Sequence, residues 1–178
     1  TGEPMEFYAH STEQKDRSDW QRLGDHLLGV GDRAAQHAQC FGGQSLARAS
    51  GQLHDLGKYT DKFQARLAGD PARVDHATWG ARIACERYGS LGTLLAYGIA
   101  GHHAGLADGR PGHEGQSRPS LRERLSEDYR ARELPPLLSA WEWELALPAK
   151  LTLPEGFACH PHPERRPFQL SLLARMVF

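Results

Sequence analysis

The sequence is short of the features that mark a chain for an oxidising or apolar environment. It holds three cysteines in 178 residues, Cys40, Cys85 and Cys159, and no CxxC pair. That usage excludes a disulfide frame and a cysteine-rich zinc cluster, and predicts isolated buried thiols in a reducing compartment. No apolar run approaches the roughly 20 residues that span a bilayer and no signal peptide opens the chain, so no membrane association is expected. Excess positive charge is also missing: Lys+Arg is 21 against Asp+Glu 22. A nucleic-acid partner would therefore be held by a local patch or by metal ions, not by a global field. There are no internal repeats, and no long segment alternates at period two.

What is abundant is histidine, ten in all. A chain of this length suits one domain that buries roughly 70% of its extended surface. Residues 1–4, ahead of Met5, read as an expression remnant, which leaves 5–178 as one unit. From the N-cap candidate Ser18, the apolar positions Trp20, Leu23, Leu27, Val30, Ala34, Ala38 and Phe41 follow helical spacing to Gly42-Gly43. Leu46, Ala49, Leu53 and Leu56 form the stripe of a second helix. Further helices are expected over Asp61–Leu67, Asp75–Tyr88, Leu91–Ala100 and Leu121–Arg132. Another runs from Pro135-Pro136 through Trp143, and a last one covers Phe168–Phe178. Residues 101–119, rich in glycine, form a long loop. The fold class is all-α.

The central motif is His54-Asp55-Leu56-Gly57-Lys58. Adjacent helix positions differ by about 100°, so His54 and Asp55 cannot both face one core pocket. Both can reach a metal off the helix end, where Gly57 leaves room. Imidazole and carboxylate together suit a divalent transition ion, and a carboxylate can bridge two. Lys58 lies on the same side and could meet a phosphate oxygen. Taken singly, each companion histidine has an ordinary explanation. His26 would be a core residue, His76 a helix-start residue, and His102-His103 loop histidines. Jointly they fall at helix ends or inner faces in the order His, His-Asp, His, His-His, about the ligand number two adjacent ions need.

These residues resemble the HD superfamily of metal-dependent phosphohydrolases. The finer pattern resembles the HD nuclease domain of the CRISPR type I nuclease–helicase. It is carried by Tyr8-Ala9-His10-Ser11, Leu53 to Lys58, Lys62-Phe63-Gln64, His76 with Gly80-Ala81, and Ala100 to Leu106 around the doubled histidine. The resemblance implies a helical bundle with a two-metal site between helices. His26, His54 and Asp55 would hold one ion, and Asp55 would bridge to a second held by His76, His102 and His103. The ions would be manganese, cobalt, nickel or iron in preference to magnesium. His54, Asp55 and Lys58 are the catalytic candidates, Lys58 by stabilising charge on the phosphorane-like state. Further implications are single-stranded DNA as substrate, a helicase domain or subunit and an RNA-guided surveillance complex as partners, and the prokaryotic cytoplasm as location. The family completes its first site with a later aspartate, but here the last aspartate is Asp128. Residues 172–178 resemble the start of the helix that carries the missing one, so the chain is expected to end inside that helix.

The remaining motifs read as structural. Gly51 to Lys58 fails as a phosphate loop, because five residues separate its glycines and Tyr59 takes the Ser/Thr place. Arg118, Arg122, Arg124, Arg130 and Arg132 are interleaved with Glu123, Glu127 and Asp128, as on a solvated helix face. His113, His160 and His162 read as surface histidines. Two other functions fit the motifs: hydrolysis of nucleotides or cyclic nucleotides, and a metal-binding docking domain with regulated or weak activity.

Overall fold

A computed structural model describes residues 5–14, 16–103, 105–106, 108–109 and 118–178. The expected remnant at 1–4, His113 and most of the glycine-rich loop lie outside the described residues. The fold is mostly helical, with 57% helix and 3% strand. Two short strands come first, β1 (Tyr8–His10) and β2 (Gln21–Arg22), followed by α1 (Leu23–His37), α2 (Gln44–Leu53) and α3 (Asp61–Leu67). Then come α4 (Thr78–Gly101), α5 (Leu121–Arg124), α6 (Glu127–Glu133), α7 (Trp141–Glu144) and α8 (Arg166–Val177).

Several boundaries differ from the sequence expectation, each for a local reason. Ser18 caps no helix, since its hydroxyl donates to Asp16 at 2.8 Å. Residues 21–22 pair instead with β1, Tyr8 opposite Arg22 and His10 opposite Gln21, so α1 starts only at Leu23. Its buried stripe is Leu23, Leu27, Gly31 and Ala35, and it gives way to a 3₁₀ turn at Ala38–Phe41. The helix expected over Leu121–Arg132 is two short ones, because Ser120 and Ser126 each cap a fresh start. The helix expected from Pro135 shrinks to α7. The thiol expectation is corrected too: Cys40 and Cys159 are exposed and Cys85 is half-buried.

The two helices expected either side of Gly89 form one element, α4, broken there by a left-handed φ of 56°. Its two arms double back on each other. A methyl group on Gly80, in the first arm, would lie 3.1 Å from Ile99 Cγ2 in the second. The hairpin therefore brings its beginning, just after His76, beside its end, just before His102. The core lies where α1 packs on α2 and α2 on this hairpin, with Leu23, Leu27, Leu46, Leu53, Leu56, Tyr59, Ala81, Ala84, Leu95 and Ile99 buried. No described helix is long and apolar enough to cross a membrane.

Candidate metal centre

The six expected ligand residues converge from four places in the chain: His26 from α1, His54-Asp55 just past α2, His76 just before α4, and His102-His103 just after it. Two glycines make the convergence possible. A methyl group on Gly80 would sit 1.8 Å from the Leu53 carbonyl oxygen, so α4 crosses the end of α2 at a distance only glycine permits. Gly57 has the same role toward the next segment. Its N–H donates to the His76 carbonyl at 3.0 Å, and a methyl group there would lie 2.5 Å from that oxygen. The room at Gly57 is thus taken by the His76 backbone and not by space for an ion.

Asp55 is the hub. Its Oδ2 lies 3.2 Å from His54 Nε2 and 3.5 Å from His26 Nε2. Its Oδ1 lies 3.2 Å from His102 Nε2 and 3.4 Å from His76 Nε2. His103 joins the second set through a 2.9 Å approach of its Nε2 to that of His76. Two groups result that share Asp55: His26, His54 and Asp55, and Asp55, His76, His102 and His103.

The orientation of the imidazoles tests whether a cation fits. His54 Nδ1 donates to the Gly51 carbonyl at 2.7 Å, and His102 Nδ1 to the Ile99 carbonyl at 2.8 Å. His76 Nδ1 faces the Val74 carbonyl at 3.3 Å. A carbonyl only accepts, so Nδ1 carries the proton and each neutral ring turns its Nε2 lone pair toward Asp55. Burial, and then Lys58, lower His76 to about 4, which keeps that ring neutral. Lone pairs and a carboxylate therefore oppose each other across 3.2–3.4 Å. Asp55 Oδ1 and His102 Nε2 are buried and make no hydrogen bond at all. Acceptors arranged this way repel unless a cation lies between them. Ligands placed about 2.1 Å from one divalent ion stand roughly 3–3.5 Å apart. The donor set fits a divalent metal.

Lys58 departs from its expected part. The residue is 4% exposed, and its ammonium lies 2.8 Å from Asp55 Oδ2 and donates to the Ala9 carbonyl at 3.0 Å. It braces the hub and ties it to β1. Gln64 reinforces that tie, accepting from Tyr8 N at 3.1 Å and donating to the carbonyls of Tyr8 and Lys58 at 3.0 and 2.9 Å. The Tyr8-Ala9-His10 and Lys62-Phe63-Gln64 motifs thus support the site without belonging to the ligand set.

Sequence reasoning passed over two residues here. His10, given no role beyond its place in a motif, packs edge-on against His26, ring centroids 5.0 Å apart. Arg124 was grouped with a solvated face, yet its side chain is 13% exposed. Glu127 and Asp128 are exposed and fall in neither ligand group; Glu127 pairs with Arg82 and Arg130. His160 and His162 contact each other away from the centre; His162 is exposed, as expected, and His160 is half-buried.

A helical scaffold that turns five histidines and one buried aspartate toward each other, with the protons of His54, His76 and His102 on the far side, belongs to the metal-dependent hydrolases. The chain is a member of the HD domain family, whose pattern matches residues 23–136. The match spans all six clustered residues, and it places the chain in the HD phosphohydrolase superfamily. None of the curated proteins matches the chain.

Proposed function

We propose that this HD domain is a deoxyribonuclease that hydrolyses phosphodiester bonds with two transition-metal ions and prefers single-stranded DNA. The observation that supports it best is the hub: one carboxylate whose two oxygens face separate imidazole sets. His26, His54 and Asp55 would hold one ion, and Asp55, His76, His102 and His103 the other. When bound, a pair of divalent ions supplies charge to polarise a phosphodiester and stabilise the departing oxygen. The protein's own contribution is orientation. The carbonyls of Gly51 and Ile99 fix the tautomers of His54 and His102, and Lys58 fixes Asp55. The imidazole-rich set favours manganese, cobalt, nickel or iron over magnesium, which prefers oxygen ligands in strict octahedral array.

The DNA substrate and the setting rest on the resemblance to the CRISPR type I nuclease domain. There the domain acts beside a helicase, fused or separate, recruited by an RNA-guided surveillance complex in antiviral defence. The test is hydrolysis by metal-stripped protein resupplied with manganese or magnesium, assayed on circular single-stranded DNA, duplex DNA and a panel of nucleotides. Cutting of the circular strand with manganese is the expected result. Turnover of nucleotides alone would replace the nuclease reading with a nucleotide phosphohydrolase. Restoration best by magnesium would overturn the metal preference.

A further inference from the structure

The half of the centre around Asp55 Oδ1 depends on a backbone geometry that its ligands do not themselves secure. His76 precedes the first arm of the α4 hairpin, and His102-His103 follow the second. The hairpin is closed at Gly89 and open at the end that carries the ligands, so any splaying of the arms would part His76 from His102. One side chain spans that open end. Arg124 Nε donates to Thr78 Oγ1 at 2.8 Å, at the start of the first arm. Its Nη1 donates to the Ala100 carbonyl at 2.5 Å, at the end of the second. Its Nη2 reaches both oxygens of Asp75, the residue before His76, at 3.2 and 3.3 Å.

The partners are themselves held. Asp75 accepts from the backbone N–H groups of Ala77 and Thr78 at 3.0 Å each, from Thr78 Oγ1 at 2.6 Å and from Tyr129 Oη at 2.9 Å. The helix that carries Arg124 is started by a capping box between Ser120 and Glu123. It is also gripped from α4 by Arg82, whose Nη1 donates to the Leu125 carbonyl at 2.7 Å. The last carbonyls of a helix lack intrahelical partners. Here Ile99 gives its oxygen to the His102 ring and Ala100 gives its oxygen to Arg124.

We infer that Arg124 is a positioning residue that clamps the open end of the α4 hairpin and so sets the spacing of His76 and His102-His103 for a cation. A planar guanidinium with five donors can serve all three partners at once; an ammonium cannot. The inference rests on the metal-centre reading, and the test separates the two. Cobalt or manganese is titrated calorimetrically into metal-free protein, into Arg124→Lys and into Asp75→Asn, with the cobalt absorption spectrum followed in parallel. The same titrations are repeated in a His26→Ala background, which weakens the Oδ2 half and so sets the two steps further apart.

In Arg124→Lys the affinity of the Oδ1 half should fall by about tenfold or more, the usual scale for losing a group that orients ligands. The cobalt band should change in that half while the Oδ2 half stays within about twofold of the parent. Asp75→Asn, which keeps a hydrogen-bonding side chain of the same shape, should give the same selective loss at smaller size. Parent-like affinity and spectrum in both variants would overturn the clamp and leave the metal centre standing. Equal weakening of both halves would reduce Arg124 to a general stabiliser and overturn the inference. Failure of the parent to bind any ion would instead remove the metal-centre reading. If Arg124→Lys does not fold, Asp75→Asn decides.

Discussion

The two oxygens of Asp55 sit in unlike surroundings. Oδ2 faces two imidazoles and, at 2.8 Å, the Lys58 ammonium. Oδ1 faces two imidazoles, with a third joined to them through His76, and has no hydrogen bond. Positive charge is already provided on one side and absent from the other. A dication approaching Oδ2 meets a buried ammonium; one approaching Oδ1 meets only lone pairs and uncompensated negative charge. The Oδ1 half is therefore expected to be the tighter metal site, on account of a lysine as much as of ligand number.

The strongest way to break this comparison is to remove what the halves share. Asp55→Asn keeps the shape of the hub and deletes its charge. Both ions should be lost and hydrolysis should fall by about 10³-fold or more, the scale for deleting an electrostatic catalytic element. Helical content measured by circular dichroism should stay near that of the parent. Wild-type rates in this variant would end the two-metal reading.

The next experiment takes the halves apart. His102→Ala should weaken the tighter step in a metal titration by about a hundredfold. His26→Ala should cost about tenfold and touch only the weaker step. Anomalous scattering from manganese-soaked crystals should likewise find the Oδ1 position filled first. Equal occupancy of both positions would contradict the asymmetry.

Lys58 gives a sharper version. Lys58→Met removes the ammonium beside Oδ2, so affinity in the Oδ2 half should rise by about tenfold and the two steps should draw together. The variant also leaves the Ala9 carbonyl short of a donor, at a cost of about 1–3 kcal/mol of stability. If Lys58 instead served a phosphate oxygen, as its position in the motif suggests, the variant would weaken DNA binding and leave both metal steps unchanged.

The sequence foretold which residues cluster better than what supports them, and the reason is physical. Ligand chemistry is written in residue types, and imidazole beside carboxylate at helix ends is a rare pattern. The clustering of His26, His54, Asp55, His76, His102 and His103 was therefore legible before any fold was known. The supports depend on contacts between distant segments that no local pattern carries. Arg124 lies among alternating charges, as a solvated arginine would, and only the doubling of α4 at Gly89 turns it inward. Gly57 was read as leaving room for a metal, but that room is taken by the backbone of His76, which no spacing rule brings there. The short strands escaped notice because residues 8–10 and 21–22 offer too few positions for a period to show.

The smallest effect concerns what stands behind each half, a tyrosine paired with a carboxylate. Behind the Oδ2 half, Tyr59 Oη donates to Glu144 Oε2 at 2.8 Å, and Tyr59 directly follows Lys58. Behind the Oδ1 half, Tyr129 Oη donates to Asp75 at 2.9 Å. Burial and then the neighbouring carboxylate raise both phenols above the ordinary value of 10.0, Tyr129 to about 12 and Tyr59 further. A raised phenol means that the folded protein holds its proton more tightly than the unfolded chain does. The resulting stabilisation is present in full below about pH 10 and is lost as pH climbs toward the folded value, because only the unfolded chain ionises there. Stability should consequently fall between pH 10 and 12 in the parent. Tyr59→Phe and Tyr129→Phe should each cost about 1 kcal/mol at neutral pH, the net value of one hydrogen bond, and each should flatten the alkaline decline. The halves separate in a second readout. Tyr129→Phe loosens Asp75, and with it the Arg124 clamp, so it should shift the tighter metal step by a factor of about two. Tyr59→Phe should move only the weaker one. Urea denaturation at stepped pH together with metal titration of both variants checks this, and an alkaline slope equal to the parent's in either variant would refute the pairing.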